Sequence, residues 1–314
     1  MKINEIAMAF AMPVQLLLAA APCVTVVPFG CVNNLIVIQA SVDEKEGFFI
    51  LDTGTPDLTL NTLYFFGEPT ENVFYGVNGE AIGVQVKHVS LNIGDFKKIT
   101  EAKIIDFTAI EAYTGLPVFG AIGNRVFEDC EVVFDYIFKE FTIYCLDKNG
   151  ALPKGRMLHE TYGAPVEILD FIEKGSMPTI QARIGGRVMR LGLDSGAGIN
   201  VVDERNKPKI ESYLKNAGKK MLASFGTTAQ MTSIAQLDSV SVGNIQCAPM
   251  KISLIPLKKL NRDLAGPEID GIMGYEFLSR YRTAINFRKK QVKIWDTEFV
   301  REQLVAAKSE EIKR

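Results

Sequence analysis

The sequence predicts a mostly β protein with minor helix, organised as two related lobes. Three observations support this prediction: the length of the chain, its short apolar segments bounded by turn-forming residues, and a set of motifs that occurs twice. The chain has 314 residues, and domains of about 150 residues would give two of them. Apolar residues make up 47% and charged residues 23%, as in a globular protein with a substantial core.

Strands are predicted where Val, Ile, Phe and Leu are concentrated between Gly, Asn and Asp residues. The segments with this pattern are 35–42, 47–51, 83–93, 181–193 and 236–242. Helices are expected to be few, and the candidates are 204–215, 275–281, a short turn after Gly123 and the charged segment 297–314. The class is therefore all-β with minor helix.

The segment 130–145 predicts a β-hairpin that turns at 136–139. In that hairpin Asp135 would face Glu140 and Cys130 would face Cys145. Two cysteines on facing strands could form a disulfide in an oxidising compartment. They could equally be two reduced thiols packed on a strand pair.

The N-terminal region is strongly apolar, with no charged residue between positions 6 and 42. Residues 1–21 resemble a secretory leader, because an apolar stretch is followed by the small residues Ala19, Ala20 and Ala21. A leader implies a periplasmic or secreted protein. If the segment is instead an N-terminal arm of the fold, a cytoplasmic location remains open.

Charge and histidine content exclude several classes of function. The 35 basic and 37 acidic residues give a net charge of −2, which argues against nucleic acid or an anionic membrane as a partner. The only histidines are His88 and His159, too few for a His-rich zinc site. The glycine patterns of phosphate-binding loops and dinucleotide-binding folds do not occur.

A repeated tripeptide is the most informative feature. Asp52-Thr53-Gly54 recurs as Asp194-Ser195-Gly196, 142 positions later. Other segments recur in the same order, namely 38–40 as 180–182, 91–94 as 240–243, and 120–123 as 271–274. Such self-similarity indicates an internal duplication. We therefore predict lobes at 24–146 and 163–296, a linker at 147–162 and a helical tail at 297–314.

Each repeated aspartate follows a buried, apolar strand, where a carboxyl group is costly unless it is hydrogen-bonded or used. The bland interpretation is that each strand ends in an ordinary Asx-type turn. Two copies in register, each followed by a second apolar-apolar-glycine motif, favour a shared function for Asp52 and Asp194.

These motifs resemble the pepsin and retropepsin superfamily of aspartic peptidases, in a single-chain form with two lobes. The matching residues are Ile50 to Thr55 with Ala121 to Gly123, and Leu193 to Ala197 with Gly271 to Gly274. The short lobes look most like the compact bacterial members. The resemblance implies duplicated pepsin/retropepsin-like β-barrel lobes that form one bilobal protein with a central cleft.

The resemblance also implies a mechanism. Asp52 and Asp194 would form a catalytic dyad that shares one proton and activates a water molecule. Thr53 and Ser195 would support the dyad with their hydroxyls, and Gly54 and Gly196 would let the two turns approach closely. Family members need no metal and no other cofactor for this reaction.

A polypeptide substrate would lie extended in the cleft between the lobes, under a hairpin flap. Tyr75 and Gly76 belong to the candidate flap, where Asn78-Gly79 signals the turn. The duplicated aspartate makes a second chain unnecessary, so we expect a monomer. The activity implied is an aspartic endopeptidase. A peptide-binding protein with the same fold and little or no turnover is the alternative.

Overall fold

A computed structural model describes residues 24–75, 81–152, 163–224 and 227–297. Strand accounts for 56% of it and helix for 12%, which confirms the all-β class with minor helix. None of the helices in these ranges is long and apolar enough to cross a membrane. The predicted leader, residues 153–162 of the linker and the tail beyond Thr297 lie outside the described residues.

The first sheet is formed by the N-terminal half. Its strands are β2 (Gly30–Val32), β3 (Leu35–Val42), β4 (Lys45–Leu51), β5 (Leu58–Asn61), β6 (Glu68–Tyr75), β7 (Ala81–Ile93), β8 (Phe96–Ile105) and β9 (Val118–Ile122). Their order in the sheet is β2-β3-β4-β9-β5-β8-β7-β6. The pairs β4–β9 and β5–β8 are parallel, so the ends of β4 and β9 meet at one edge.

The second sheet is formed by the C-terminal half. Its strands are β13 (Ile172–Lys174), β14 (Met177–Ile184), β15 (Arg187–Leu193), β16 (Asn200–Asp203), β17 (Leu214–Ser224), β18 (Thr227–Leu237), β19 (Val240–Val242), β20 (Ile245–Cys247), β21 (Met250–Ile255) and β22 (Gly271–Met273). The path β18-β21-β16-β22-β15-β14 has the same order and directions of pairing as β7-β8-β5-β9-β4-β3.

A third sheet joins the two halves. It contains β1 (Val24–Pro28), β10 (Cys130–Asp135), β11 (Glu140–Cys145), β12 (Glu167–Asp170), β23 (Tyr281–Asn286) and β24 (Gln291–Asp296), in the order β1-β11-β10-β23-β24-β12. Its centre is the β10–β23 ladder, where Val132 lies opposite Ile285. Because the two strands come from different halves, burial of such residues holds the halves together.

The helices are short. They are α1 (Thr108–Thr114), α2 (Lys207–Ile210), α3 (Lys258–Asp263) and α4 (Tyr275–Leu278), with 3₁₀ turns at Asn124–Phe127, Glu204–Asn206 and Glu211–Tyr213. Helix α1 belongs to the first half but lies against the β17–β18 hairpin of the second half. That hairpin therefore crosses from one half of the molecule to the other.

Several elements differ from their prediction. The single strand predicted at 181–193 is two strands, because Gly185 and Gly186 both adopt positive φ and turn the chain. The strand predicted at 236–242 also divides, at Ser239, which has a φ of 59°. The helix predicted at 204–215 is a series of short helical turns that ends at Tyr213. Helices α1 and α3 were not predicted.

The hairpin predicted at 130–145 is confirmed. Cys130 lies opposite Cys145, and Asp135 lies opposite Glu140. Both cysteines are thiols in the structure.

A buried ion pair fixes the third sheet. Arg282 Nε and Asp135 Oδ2 are 2.7 Å apart, and both side chains are almost fully buried. Replacing Arg282 with Ala would leave the Asp135 carboxylate buried without this partner. We expect a loss of about 3–5 kcal/mol in the free energy of unfolding, measured by urea denaturation.

The matched control is the exposed pair of Lys87 and Asp43. Replacing Lys87 with Ala should change the free energy of unfolding by no more than about 1 kcal/mol. Equal effects of the two substitutions would contradict the structural role assigned to Arg282.

Candidate active site

The two repeated aspartates lie at equivalent strand ends. Asp52 directly follows β4 and its amide donates to the Ile122 carbonyl in β9, at 3.0 Å. Asp194 directly follows β15 and its amide donates to the Met273 carbonyl in β22, also at 3.0 Å. Each aspartate is thus held on a parallel strand pair, which positions it more firmly than a loop would.

A tight turn follows each aspartate. The Gly54 amide donates to Asp52 Oδ1 at 2.9 Å, and the Gly196 amide donates to Asp194 Oδ1 at 2.8 Å. This is the Asx-type turn that the sequence predicts even without a catalytic role for the aspartates. Here the two turns meet, so the turn geometry orients two carboxyl groups toward one point.

Reciprocal hydrogen bonds join the turns. Thr53 Oγ1 accepts from the Ser195 amide at 2.8 Å and donates to the Leu193 carbonyl at 2.9 Å. Ser195 Oγ accepts from the Thr53 amide at 3.1 Å and donates to the Leu51 carbonyl at 2.8 Å. Both side chains are buried, so both hydroxyls satisfy their hydrogen bonds within the protein.

The glycines permit the close approach of the turns. A Cβ atom on Gly54 would fall on the carboxyl group of Asp194, and one on Gly196 would fall on the carboxyl group of Asp52. Any side chain at either position would separate the carboxyl groups. The structure therefore brings together all six residues predicted for the dyad and its support.

The carboxyl groups of Asp52 and Asp194 are hydrogen-bonded to each other. Asp52 is only 5% exposed, and Asp194 is the more accessible of the two. Burial raises the pKa of both groups, because a charged carboxylate loses its hydration.

The two carboxyl groups differ in their surroundings. Burial, the charge of Asp194 and the hydrogen bond to it hold the pKa of Asp52 well above the ordinary range. For Asp194, burial raises the pKa, but the amides of Gly196, Gly54 and Ala197 and the hydrogen bond from Asp52 act in the opposite direction. Two carboxyl groups in this arrangement titrate as a pair that can hold one proton between them.

Asn124 is a supporting residue that the sequence analysis missed. Its Nδ2 atom donates to the Thr53 carbonyl at 2.5 Å and to the Ser176 carbonyl at 3.0 Å. It therefore ties the first turn to the second half. Asn34 makes a corresponding tie to the Gly198 carbonyl, at 2.9 Å. Neither asparagine carries a sequence signal, because each role depends on a contact with a distant part of the chain.

The predicted flap residues lie at the limit of the described chain. Tyr75 is the last residue of β6, and its side chain is outside what the structure describes. Gly76 lies outside the described residues. The matching hairpin of the second half is β17–β18, which lies against α1 of the first half.

Part of the second half matches a known protein family. Residues 180–277 match the family model described as aspartyl protease. The matched segment contains Asp194, Ser195 and Gly196 and the second apolar-apolar-glycine motif, whereas Asp52 lies outside it. A search of curated proteins finds no match. This segment is therefore similar to the aspartyl protease family, which supports the pepsin/retropepsin-like resemblance of the repeated motifs.

Proposed function

We propose that this protein is an aspartic endopeptidase that hydrolyses peptide bonds in extended polypeptides. The observation that carries the proposal is the hydrogen-bonded pair of Asp52 and Asp194, held by the reciprocal bonds of Thr53 and Ser195. Two carboxyl groups with one proton can act as base and acid in the same step.

In the first step, the Asp194 carboxylate removes a proton from a water molecule while the water oxygen bonds to the carbonyl carbon of the substrate. Asp52 gives its proton to the carbonyl oxygen, which prevents negative charge from accumulating there. In the second step, Asp194 returns a proton to the leaving nitrogen and the C–N bond breaks. Asp52 recovers its proton from one of the two hydroxyl groups on the former carbonyl carbon. That carbon thereby becomes the carboxyl group of the product.

An extended substrate suits a site between two sheets. Main-chain hydrogen bonds to hairpin edges would hold it, as in strand addition. The β6–β7 hairpin and the β17–β18 hairpin are the two elements that could provide such edges. The common pairing order of the two sheets supports an internal duplication, with one aspartate and one hairpin from each copy.

The first prediction of this mechanism concerns the dyad. Replacing Asp52 or Asp194 with Asn removes either the proton donor or the base, and each change should lower cleavage of an unfolded protein substrate by at least about a thousandfold. Cleavage should be measured from acidic to mildly alkaline pH, with and without a statine-type transition-state mimic. The mimic should inhibit the wild-type protein.

Asp95→Asn is the matched control, because Asp95 is exposed in the turn between β7 and β8. It should cleave at the wild-type rate. Cleavage that survives in both dyad variants would refute the proposed mechanism. A correctly folded wild-type protein that binds peptide but cleaves none at any pH would support the peptide-binding alternative.

A second prediction concerns stability. The raised pKa of Asp52 means that the folded state binds this proton more tightly than the unfolded chain does. Binding of this proton stabilises the folded state. The stabilisation is complete below the unfolded pKa of about 3.9 and is lost as pH rises through the folded pKa. Asp52→Asn should therefore raise the melting temperature at pH 7, by about 2–4 °C per kcal/mol, and have little effect at pH 3.

Melting temperatures of the wild-type protein, Asp52→Asn and Asp95→Asn at both pH values provide the measurement. Asp95→Asn should not show the pH-dependent difference. If Asp52→Asn destabilises the protein equally at pH 3 and pH 7, burial of the carboxyl group is not the dominant cost at this position.

A further inference from the structure

The turn of the β10–β11 hairpin contains a tyrosine whose counterpart is a phenylalanine. Tyr136 follows β10, and Phe287 occupies the same place after β23. The Tyr136 ring lies 5.3 Å from the Phe29 ring at 75°, and the Phe287 ring lies 6.4 Å from the Phe171 ring at 77°. In both turns the ring makes the same edge-to-face contact, so packing alone does not require the hydroxyl of Tyr136.

The agreement extends to the backbone of both turns. Lys139 and Lys290 have φ values of 56° and 53°. The Lys139 carbonyl accepts from the Phe29 amide at 2.9 Å, and the Lys290 carbonyl accepts from the Phe171 amide at 2.8 Å. Tyr136 and Phe287 are therefore matched positions that differ by one oxygen atom.

That oxygen atom is buried, and among the described residues it has no hydrogen-bond partner. A buried hydroxyl without a partner is unfavourable, and such groups in proteins commonly bind an ordered water molecule. The hydroxyl is thus a donor that the packing of the turn does not explain.

Tyr136 packs against a residue that is bonded to the turn of Asp194. Its ring lies 5.8 Å from the ring of Tyr275. The amide of Tyr275 donates to the Ala197 carbonyl at 2.9 Å, in the turn that carries Asp194. Burial raises the pKa of Tyr136, and the charges of Cys31, Tyr275 and Asp194 raise it further. The phenol therefore stays a donor wherever the dyad is singly protonated.

We propose that Tyr136 is a positioning residue for the dyad, and that its hydroxyl donates through a bridging water molecule to the Asp194 carboxylate. The inference rests on the proposed function. A donor to Asp194 stabilises the ionised form of that residue, so it helps to decide which carboxyl group carries the charge. Phe287, at the matched position, has no donor to offer.

Other groups near Tyr136 do not produce the same effect. On its own turn, Asp135 is neutralised by Arg282 at 2.7 Å. The charge of Lys139 lowers the pKa of the Cys31 thiol, but this effect is smaller than that of burial. Burial raises the pKa of that thiol, so it stays neutral at acidic pH. Of the groups whose charge acts on Tyr136, Asp194 is the one that takes part in the proposed reaction.

The test is Tyr136→Phe, which reproduces the residue found at the matched position. Loss of the donor should move the acidic limb of the kcat/KM profile to higher pH, by about 0.5–1 pH unit. At a pH on that limb, kcat/KM should fall by about three- to tenfold. The control is Tyr64→Phe, because the Tyr64 hydroxyl donates to Glu111 Oε1 at 2.8 Å instead. The control should keep the wild-type profile.

A second variant should shift the profile the other way. Site-specific 3-fluorotyrosine at position 136 keeps the ring and makes the hydroxyl a stronger donor. The acidic limb should therefore move to lower pH. A merely structural role for Tyr136 would produce no such opposite shifts. Unchanged limbs in both variants, in a protein that the dyad substitutions inactivate, would overturn this inference and leave the proposed function intact.

A readout without activity separates the two proposals further. Carbon-13 NMR of labelled aspartate carboxyl groups should show Asp194 titrating at higher pH in Tyr136→Phe than in the wild-type protein. If the wild-type protein cleaves no substrate, the proposed function fails, and this titration still tests Tyr136. An Asp194 titration that is the same in both proteins would overturn the role of Tyr136.

Discussion

The reciprocal hydrogen bonds between Thr53 and Ser195 are the constraint on which the rest of the site depends. Each hydroxyl is bound to the backbone of the opposite turn and to the carbonyl that precedes the opposite aspartate. The bonds are fully satisfied, so the turns can meet in a buried environment without orphaned polar groups. Movement of either half relative to the other would break bonds in both turns at once. The distance between the carboxyl groups is therefore set by the backbone of two sheets, not by flexible side chains.

The same hydrogen bonds hold two buried carboxyl groups close together, where ionisation of both is unfavourable. Two buried carboxyl groups in contact cannot both ionise at low cost. Backbone amides at Gly54, Gly196 and Ala197 stabilise a negative charge on Asp194, whereas Asp52 gains less of this support. The result is a site that is costly for stability and suited to acid–base chemistry, a combination common at functional sites. The buried ion pair of Arg282 and Asp135, only one residue from Tyr136, has its charges compensated completely and does not share this conflict.

Much of the site could be predicted from local sequence, and the exceptions have physical causes. The strand at Leu35–Val42 and the facing of Cys130 and Cys145 follow from patterns within short segments. The meeting of the two turns was predicted from the repeated motif and the family resemblance. The division at Gly185 and Gly186 was missed because apolar residues continue on both sides of the turn. Helix α1 was missed because seven residues are too few for a helical period to stand out. Asn124 could not be identified, since its partners come from two other regions of the chain.

The differences between the two halves matter as much as their likeness. Two identical turns would give two equivalent carboxyl groups, and the shared proton would have no preferred position. The described residues break this equivalence at matched places. Asn124 follows the first glycine motif where Tyr275 follows the second, and Phe119 stacks on Tyr64 where Asp270 binds the Arg190 amide. Since the reciprocal bonds of Thr53 and Ser195 preserve the geometry, such neighbours can diverge without moving the aspartates. The frame that holds the aspartates is thus nearly symmetric, whereas the residues around it are not.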